Sequence, residues 1–317
     1  MEACTFQGKF NVTTYNAVAM AIVTLQTFAG MWINAFIVSV LCVSWVKKRS
    51  FNSNEKILLF LGCSRSCYLF TTWVFSFFEN IYPLCMYVYS VYLFLVPLQD
   101  FFNVSNVCVS AFLSVFYCIK IANFQHSFFI YLKVRIDRMM PWLMLASVLI
   151  SLGYSIFVYK IVDESICDNV NCTMLGHIWK YSIRIDQLFS MYVLITGFVF
   201  AIAFSAVSFS VLLLLFSLWR HKHKMQTESG KNVSVDAHIK AMKSILSFFF
   251  TYTINFVCLV LTLTYPMKNQ KAAKFLIFFF QHSFPAVHSL ILIFSNPKLE
   301  KTLLRTLTCM KCKICKR

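Results

Sequence analysis

Four polar side chains recur with helical spacing inside an apolar stretch of the chain. Gln99, Asn103, Asn106 and Ser110 stand at positions i, i+4, i+7 and i+11, so an α-helix places them on one face. Amides and hydroxyls face hydrocarbon only at high cost, because nothing there pairs with them. The pattern predicts either the lining of a cavity or hydrogen bonds to neighbouring helices. Both alternatives stay open for Asn106 and Ser110.

Arg65 is an isolated charge inside another apolar run. It lies about eight residues from the predicted inner end of that run, or roughly 12 Å at 1.5 Å per residue. A charge at this depth costs about 2.5–3.5 kcal/mol on insertion scales, so it should face other helices. The alternative is that its long side chain extends to the inner surface. Asp100 lies near the outer end, too far away to pair, so we expect neutral acceptors such as Asn34 and Ser289.

The reactive residue types form no catalytic or metal-binding motif. The sequence contains no His-Glu-x-x-His, no Gly-x-Ser-x-Gly and, with seven Gly, no phosphate-cradling loop. Cys309, Cys312 and Cys315 form a basic Cys-x-x-Cys-x-x-Cys tail, but structural zinc usually takes four ligands and no fourth lies nearby. Palmitoylation and free thiols are the two interpretations of this tail. We therefore predict no enzyme, no cofactor and no metal site.

These residues must be positioned by helices that cross a membrane. Hydrophobic residues make up 59% of the chain and charged residues 13%, about half the charge of a soluble domain. The sequence predicts an all-α membrane protein, a seven-transmembrane helical bundle, because seven apolar runs are long enough to span a bilayer. The runs are 15–46, 57–78, 87–119, 139–159, 187–218, 244–265 and 275–295.

Charge predicts the orientation of the bundle. Of the 29 Lys and Arg, 21 fall on one side of the predicted spans and seven on the other. The positive-inside rule then makes the N-terminus extracellular and the C-terminus cytoplasmic. No linker appears, so we expect one domain over 1–317, with 1–14 as the extracellular N-terminus and 296–317 as the cytoplasmic tail. The net charge of +17 is spread over short loops, which indicates contact with anionic membrane lipids and no nucleic acid.

A small-solute transporter is the alternative from another class of membrane protein. Transporters often show paired repeats and helices broken by Gly or Pro. Here the number of spans is odd, and Pro285 is the main breaker within them. These features favour a receptor.

Local motifs follow one another in order over most of the chain. They are Gly30-Met-Trp-Ile-Asn34-Ala-Phe-Ile37, Leu61-Gly-Cys-Ser-Arg65, Phe116-Tyr-Cys-Ile-Lys-Ile-Ala-Asn-Phe124, Ser217-Leu-Trp-Arg-His221, His238-Ile-Lys-Ala-Met-Lys243, His288-Ser-Leu-Ile-Leu292 and Asn296-Pro-Lys-Leu299. In this order the chain resembles the bitter taste (type 2 taste) receptors, with vomeronasal type 1 receptors as the runner-up. It departs from the family's pattern at Gln99 and Cys108, where Trp is usual, and it lacks the usual Pro of the fifth span.

The resemblance implies a plasma-membrane G-protein-coupled receptor for small bitter molecules. Its partner would be a gustducin-like heterotrimeric G protein, with phospholipase C and calcium release downstream. It also implies that Asn103 contacts the agonist. Asp100, at the rim, would favour cationic ligands or pair with an outer Lys. With residues of similar depth, the expected ligand-binding set is Gln99, Asp100, Asn103, Asn106, Asn255, Phe278 and Gln281.

Two further sets complete the expectation. The inner ends of the third, fifth and sixth spans would bind the G protein, although positive-inside topology alone also explains their charge. This set is Tyr117, Lys120, Arg220, His221, His238 and Lys240. The second set, around the buried arginine, would be the network that couples ligand to G protein. It consists of Asn34, Arg65, His288 and Ser289.

We predict that Asn171 carries a glycan. Four Asn-x-Ser/Thr sequons occur, at Asn11, Asn103, Asn171 and Asn232, and modification needs an exposed lumenal loop. Asn232 is predicted to be cytoplasmic, Asn103 lies inside a span, and Asn11 stands close to the first span. Asn171 lies mid-loop between Cys167 and Cys172, which can form a disulfide on this oxidising side. Asn171→Gln should remove the glycosidase-sensitive mobility shift; an unchanged shift would contradict the assignment.

Overall fold

The structure, a computed structural model, describes residues 14–82, 91–122, 126–170, 178–228, 232–264 and 271–314. In these ranges the regular elements are eight α-helices. They are α1 (Thr14–Lys48), α2 (Ser53–Ile81), α3 (Val91–Ile121), α4 (Ser127–Val170), α5 (Ile178–Glu228), α6 (Asn232–Thr264), α7 (Lys271–Ser295) and α8 (Pro297–Ile314).

The helices α1 to α7 are each long and apolar enough to cross a membrane, which confirms the predicted seven-helix bundle. Helices suit this environment because their backbone N–H and C=O groups pair within the element. Some helices extend beyond the apolar runs that predicted them. α4 begins at Ser127, whereas its apolar run begins at residue 139. Apolarity marks only the part in lipid, and the helix continues through the charged residues beside it.

The centre of the bundle is α3, which packs against α2, α4 and α5. α1 packs on α2 and α7, α6 lies between α5 and α7, and α8 packs on α7 and α1. We call the end that holds the last turns of α1, α3, α5 and α7 the basic end, because most Lys and Arg lie there. The other end is the opposite end.

Three clusters of buried apolar side chains hold the helices together. The first cluster fills the basic half between α1, α2, α3, α4, α7 and α8, and includes Leu61 and Leu113. The second fills the opposite half between α3, α4, α5, α6 and α7, and includes Val207. The third joins the basic ends of α3 and α5 through Cys118 and Leu214. Two packing units therefore meet α3 at the basic end, one on either side of it.

Large apolar side chains also cover the outside of the bundle. Trp32 is 76% exposed and Trp142 is 71% exposed, and Leu25, Leu194 and Phe198 are similarly open. Such a surface is unstable in water but is the expected surface for helices packed in lipid.

α8 follows α7 almost directly, within the stretch 296–317 that was predicted only as a cytoplasmic tail. Asn296 caps it, since its Oδ1 accepts a hydrogen bond of 3.1 Å from the backbone N–H of Lys298, and Pro297 occupies the first helical position. Leu299 is fully buried in the first cluster, while Leu304 on another face is 56% exposed. The Asn-Pro start was visible in the sequence and could have predicted this helix.

Gly30 lets α1 approach its neighbours, and this generates a test of the packing. A Cβ at Gly30 would lie 2.7 Å from Leu69 Cδ1 and 3.3 Å from Ala286 Cβ, whereas a Cβ at Gly153 would meet no atom within 4 Å. Gly30→Val should therefore destabilise the fold by about 1–3 kcal/mol through overpacking. Gly153→Val is the matched control and should change little. The measurement is the melting temperature of both purified variants; equal melting temperatures would contradict this packing.

Candidate functional site

Arg65 is buried at the middle of the bundle and is paired with neutral groups. Its side chain is 1% exposed. One terminal nitrogen donates to Ser289 Oγ at 2.7 Å, and the other donates to Ser110 Oγ at 3.2 Å and to His288 Nδ1. The last bond requires a neutral His288 that carries its proton on Nε2. Among the described residues no carboxylate pairs with this arginine.

The hydrogen bonds continue from α7 into α1. Ser289 Oγ donates to Asn34 Oδ1 at 2.7 Å, and Asn34 Nδ2 donates to the Gly30 carbonyl at 2.8 Å. The four residues of the predicted switch set are therefore together, with Asn34 one bond removed from Arg65. Ser110 belongs to the same network, so the structure decides for an interhelical hydrogen bond at this position. The Arg65 side chain therefore does not extend to the inner surface, which was the alternative prediction.

His288 carries the network from α7 to α6. Its ring centroid lies 4.4 Å from that of Phe248 on α6 and 5.4 Å from that of Phe284. Arg65 is thus connected through bonds or ring contacts to α1, α3, α6 and α7. A displacement of α6 or α7 must change at least one of these contacts.

In the opposite half, several buried polar atoms have no partner among the described residues. Asn106 is 4% exposed, and neither its amide nitrogen nor its oxygen is hydrogen-bonded. One carboxylate oxygen of Asp100 and Nε2 of His282 are also buried and without a hydrogen bond. Asn103 and Gln99 are half-buried on the same helix as Asp100. Unpaired buried polar atoms are costly, so they indicate groups that a ligand or water can satisfy.

Asp100 interacts electrostatically with three tyrosines from other helices. Tyr68 of α2, Tyr154 of α4 and Tyr192 of α5 all lie within electrostatic range of its carboxylate. Tyr154 also hydrogen-bonds Thr196 at 2.6 Å, which joins α4 to α5. Asp100 pairs with no Lys in the part of the chain that the structure describes. These tyrosines were not among the predicted site residues, because no spacing pattern within the apolar runs connects them.

The predicted α6 and α7 positions lie level with each other in the bundle. Since Phe248 meets His288 and Tyr252 meets Phe284, the antiparallel register brings Asn255 level with Gln281. Asn255 is buried and Gln281 half-buried. Within the described ranges α3 makes no close backbone contact with α6 or α7, and side chains of the second cluster, such as Val107 and Tyr252, lie between them.

Phe278 is directed towards α2. Its ring stacks on His282 at 3.7 Å, and His282 stacks in turn on Tyr68 at 5.8 Å. His282 was not among the predicted site residues, although a histidine one turn from Phe278 inside a span was a signal for it. The three rings form a wall of the opposite half between α2 and α7.

The basic end contains a cavity of about 500 Å³ between α2, α3, α5, α6 and α7. Its lining includes Asn54, Tyr117, Leu214, Ile245, His288 and Asn296. The Arg65 network therefore reaches the cavity wall through His288.

The predicted G-protein set is only partly assembled around this cavity. Tyr117 lines it, whereas Lys120 forms an ion pair with Asp137 of α4 and does not. Arg220 is exposed at the basic end of α5. His221, His238 and Lys240 lie in helices α5 and α6, but their side chains fall outside the described part of the chain.

Other predicted positions also fall outside the described residues. They are Asn171, Cys172 and Cys315, together with the side chains of Cys167 and Cys312. Cys309 is exposed on α8. No group of three metal-ligating side chains occurs in the ranges that the structure covers.

Comparison with known proteins identifies the family. A family model described as taste receptor protein (TAS2R) matches residues 12–311. The chain belongs to the TAS2R family of taste receptors. Human taste receptor type 2 member 9 is 31% identical over 306 residues, 93% of this chain and 95% of that protein. Human taste receptor type 2 member 2 is 30% identical over 297 residues, which cover 91% of this chain and 95% of that protein. Rat taste receptor type 2 member 41 is 30% identical over 298 residues, which cover 92% of this chain and 95% of that protein.

Membership of the TAS2R family makes the chain a multi-pass plasma-membrane protein of the G-protein-coupled, bitter taste receptor type. This family is made up of receptors and not of enzymes. The match selects a taste receptor over the vomeronasal receptor and the transporter that the sequence analysis kept as alternatives.

The arginine network of this TAS2R protein generates a ranked prediction. Arg65→Ala leaves Ser110, His288 and Ser289 without their donor, whereas Ser110→Ala removes only one of these bonds. Hydrogen bonds to charged groups contribute about 1.5–3 kcal/mol, so Arg65→Ala should alter signalling most. Ser289→Ala should be intermediate, because Ser289 joins Arg65 to Asn34.

The measurement is the dose–response curve at matched surface expression. Thr251→Ala is the control, because Thr251 bonds only a carbonyl of its own helix. Curves for Arg65→Ala that superimpose on those of the wild type would reject a role in signalling.

Proposed function

We propose that this chain is a receptor for bitter small molecules that signals through a gustducin-like heterotrimeric G protein to phospholipase C and calcium. One observation carries the proposal. A single hydrogen-bonded network around Arg65 lies between a half of the bundle with unpaired polar groups and a half with a cavity. Ligand binding in one half can therefore bias the other through shared contacts.

The proposed ligand site lies in the opposite half, which is the extracellular half if positive-inside topology holds. Asn103 and Asn106 of α3 would supply polar contacts, with Asn255 and Gln281 on the facing wall. Phe278 would close the site with apolar surface. A mostly apolar pocket with a few polar groups suits small amphipathic molecules. The Asp100 carboxylate, which has an unpaired oxygen, would favour cationic ones.

The proposed G-protein site is the cavity at the basic end. An α-helix with its side chains is about 10–12 Å across, so about 500 Å³ admits roughly one turn. Ser244 of α6 and Ser295 of α7 both line the cavity and are hydrogen-bonded to each other. Outward movement of α6 breaks this bond and enlarges the space for the C-terminal helix of a G protein.

Membrane lipids are the third proposed partner. Lys301 and Arg305 are exposed on α8, and so are Leu304 and Leu307. An amphipathic helix of this kind lies in the interface, with apolar side chains in the acyl boundary and basic ones beside lipid phosphates.

The function is tested by calcium imaging. Cells that express the chain with a promiscuous G protein should respond to members of a broad panel of bitter compounds. Cells with the G protein alone are the control. The proposal would be contradicted if the chain reached the cell surface and responded to none of the compounds, while a known TAS2R receptor responded in the same assay.

The ligand site is tested with the agonists so found. Asn103→Ala should lower potency roughly 2- to 10-fold, because one neutral hydrogen bond contributes about 0.5–1.5 kcal/mol. Leu98→Ala is the control, since Leu98 lies on the same helix, about one and a half turns nearer its start, and its side chain is 42% exposed. Unchanged EC50 values for several chemically distinct agonists would remove this face of α3 from the site.

A further inference from the structure

The first turn of α2 is bonded to two other helices by two consecutive residues. Ser53, beside them, lies near the carboxylate of Asp137 on α4. Asn54 Oδ1 accepts a hydrogen bond of 3.0 Å from the hydroxyl of Tyr117 on α3. Glu55 Oε1 pairs with Lys298 Nζ of α8 at 2.6 Å. The turn is therefore a fixed point at the basic end.

Two more bonds make this turn rigid. Glu55 Oε2 accepts from the backbone N–H of Asn52 at 3.2 Å, which caps the helix. Lys298 also donates to Ser44 Oγ of α1. Glu55 itself is 8% exposed, so its ion pair is shielded from water on one side. A side chain bonded to Asn54 is consequently held against a part of the bundle that does not move easily.

Tyr117 differs from the other partners because its ring stands at the cavity. It packs against the first core cluster on one side and against the third cluster on the other. Both Tyr117 and Asn54 line the cavity. The bond to Asn54 draws the phenol towards α2, along the cavity wall. Without that bond, only packing against the two clusters restrains the ring.

We propose that Asn54 is a positioning residue for G-protein coupling: it holds the Tyr117 ring at the wall and so keeps the cavity open for the partner's helix. The proposal rests on the coupling function proposed above, and it assigns to Asn54 an effect that acts through Tyr117. Lys120 lies three residues further along α3, but its exposed ion pair with Asp137 does not involve the Tyr117 hydroxyl.

The test uses the full-length receptor in nanodiscs and needs no agonist. Two quantities are measured: agonist-independent nucleotide exchange on a heterotrimeric G protein, and the affinity for a fluorescent peptide with the C-terminal sequence of its α subunit. Asn54→Leu keeps the size of the side chain but removes the acceptor. It should lower both quantities about 2- to 10-fold, the effect of one hydrogen bond. Asn54→Asp keeps an acceptor and should retain most of both.

Two further variants separate positioning from a general loss of structure. Tyr117→Phe removes only the hydroxyl and should match Asn54→Leu, and the double variant should be no weaker than either single one. Asn80→Leu is the control, because Asn80 lies at the other end of α2 and bonds only the Ser76 carbonyl of its own helix. Melting temperatures establish that each variant is folded.

The outcomes distinguish this inference from the function on which it rests. A wild-type receptor that neither binds the peptide nor stimulates exchange would contradict coupling itself. A wild-type receptor that does both, with Asn54→Leu and Tyr117→Phe at the same level or higher, would overturn the role of Asn54. Additive losses in the double variant would overturn it as well, because the two residues would then act separately.

Discussion

The buried guanidinium of Arg65 constrains the arrangement of the helices around it. A charge inside a bilayer costs about 2.5–3.5 kcal/mol at the centre of a helix, and this cost must be offset by hydrogen bonds. Those bonds come from Ser110 on α3 and from His288 and Ser289 on α7, with Asn34 of α1 behind them. Because the partners lie on three other helices, the network sets the relative depth of α1, α2, α3 and α7.

This arrangement divides the basic half into two units. α1, α2, α4 and α8 meet in the first core cluster, and the first turn of α2 ties α8 to them through Glu55 and Lys298. α5 and α6 meet α3 in the third cluster, on the far side of the cavity. His288 and Tyr117 touch both units, since His288 contacts Phe248 of α6 and Tyr117 packs on both clusters. Relative motion of the two units would therefore change the contacts of His288 and Tyr117.

The two halves of the bundle differ in how far their polar groups are paired. Near the basic end Glu55 and Tyr117 have hydrogen-bond partners. At the middle Arg65 makes three hydrogen bonds, while its Nε and the Ser64 hydroxyl are unpaired among the described residues. In the opposite half the Asn106 side chain has no hydrogen-bond partner among the described residues, and Asp100 and His282 each keep an unpaired atom. Satisfied networks fix a structure, whereas unsatisfied groups carry a free-energy cost that a bound molecule can remove. The contrast supports the proposal of a site for varied small molecules in the opposite half and of a G-protein site at the basic end.

The sequence by itself determined the seven spans, the helical class, the side that carries the basic residues and the burial of Arg65. These follow from local properties, namely the length of apolar runs and the cost of placing charge in lipid. It also placed Asn34 and Ser289 near Arg65, because depth along a span can be counted from its ends. Family membership could be inferred from short motifs, which are read along the chain without knowledge of its packing.

Only the tertiary structure decided which faces meet. Depth does not specify rotation, so the sequence could not tell that Ser110 bonds Arg65, that Lys120 pairs with Asp137 or that Phe278 leans on His282. Asn54 was invisible for the same reason: in the sequence it is a polar residue beside a basic loop. Its significance comes from a hydroxyl 63 positions later, which helix packing brings within 3.0 Å.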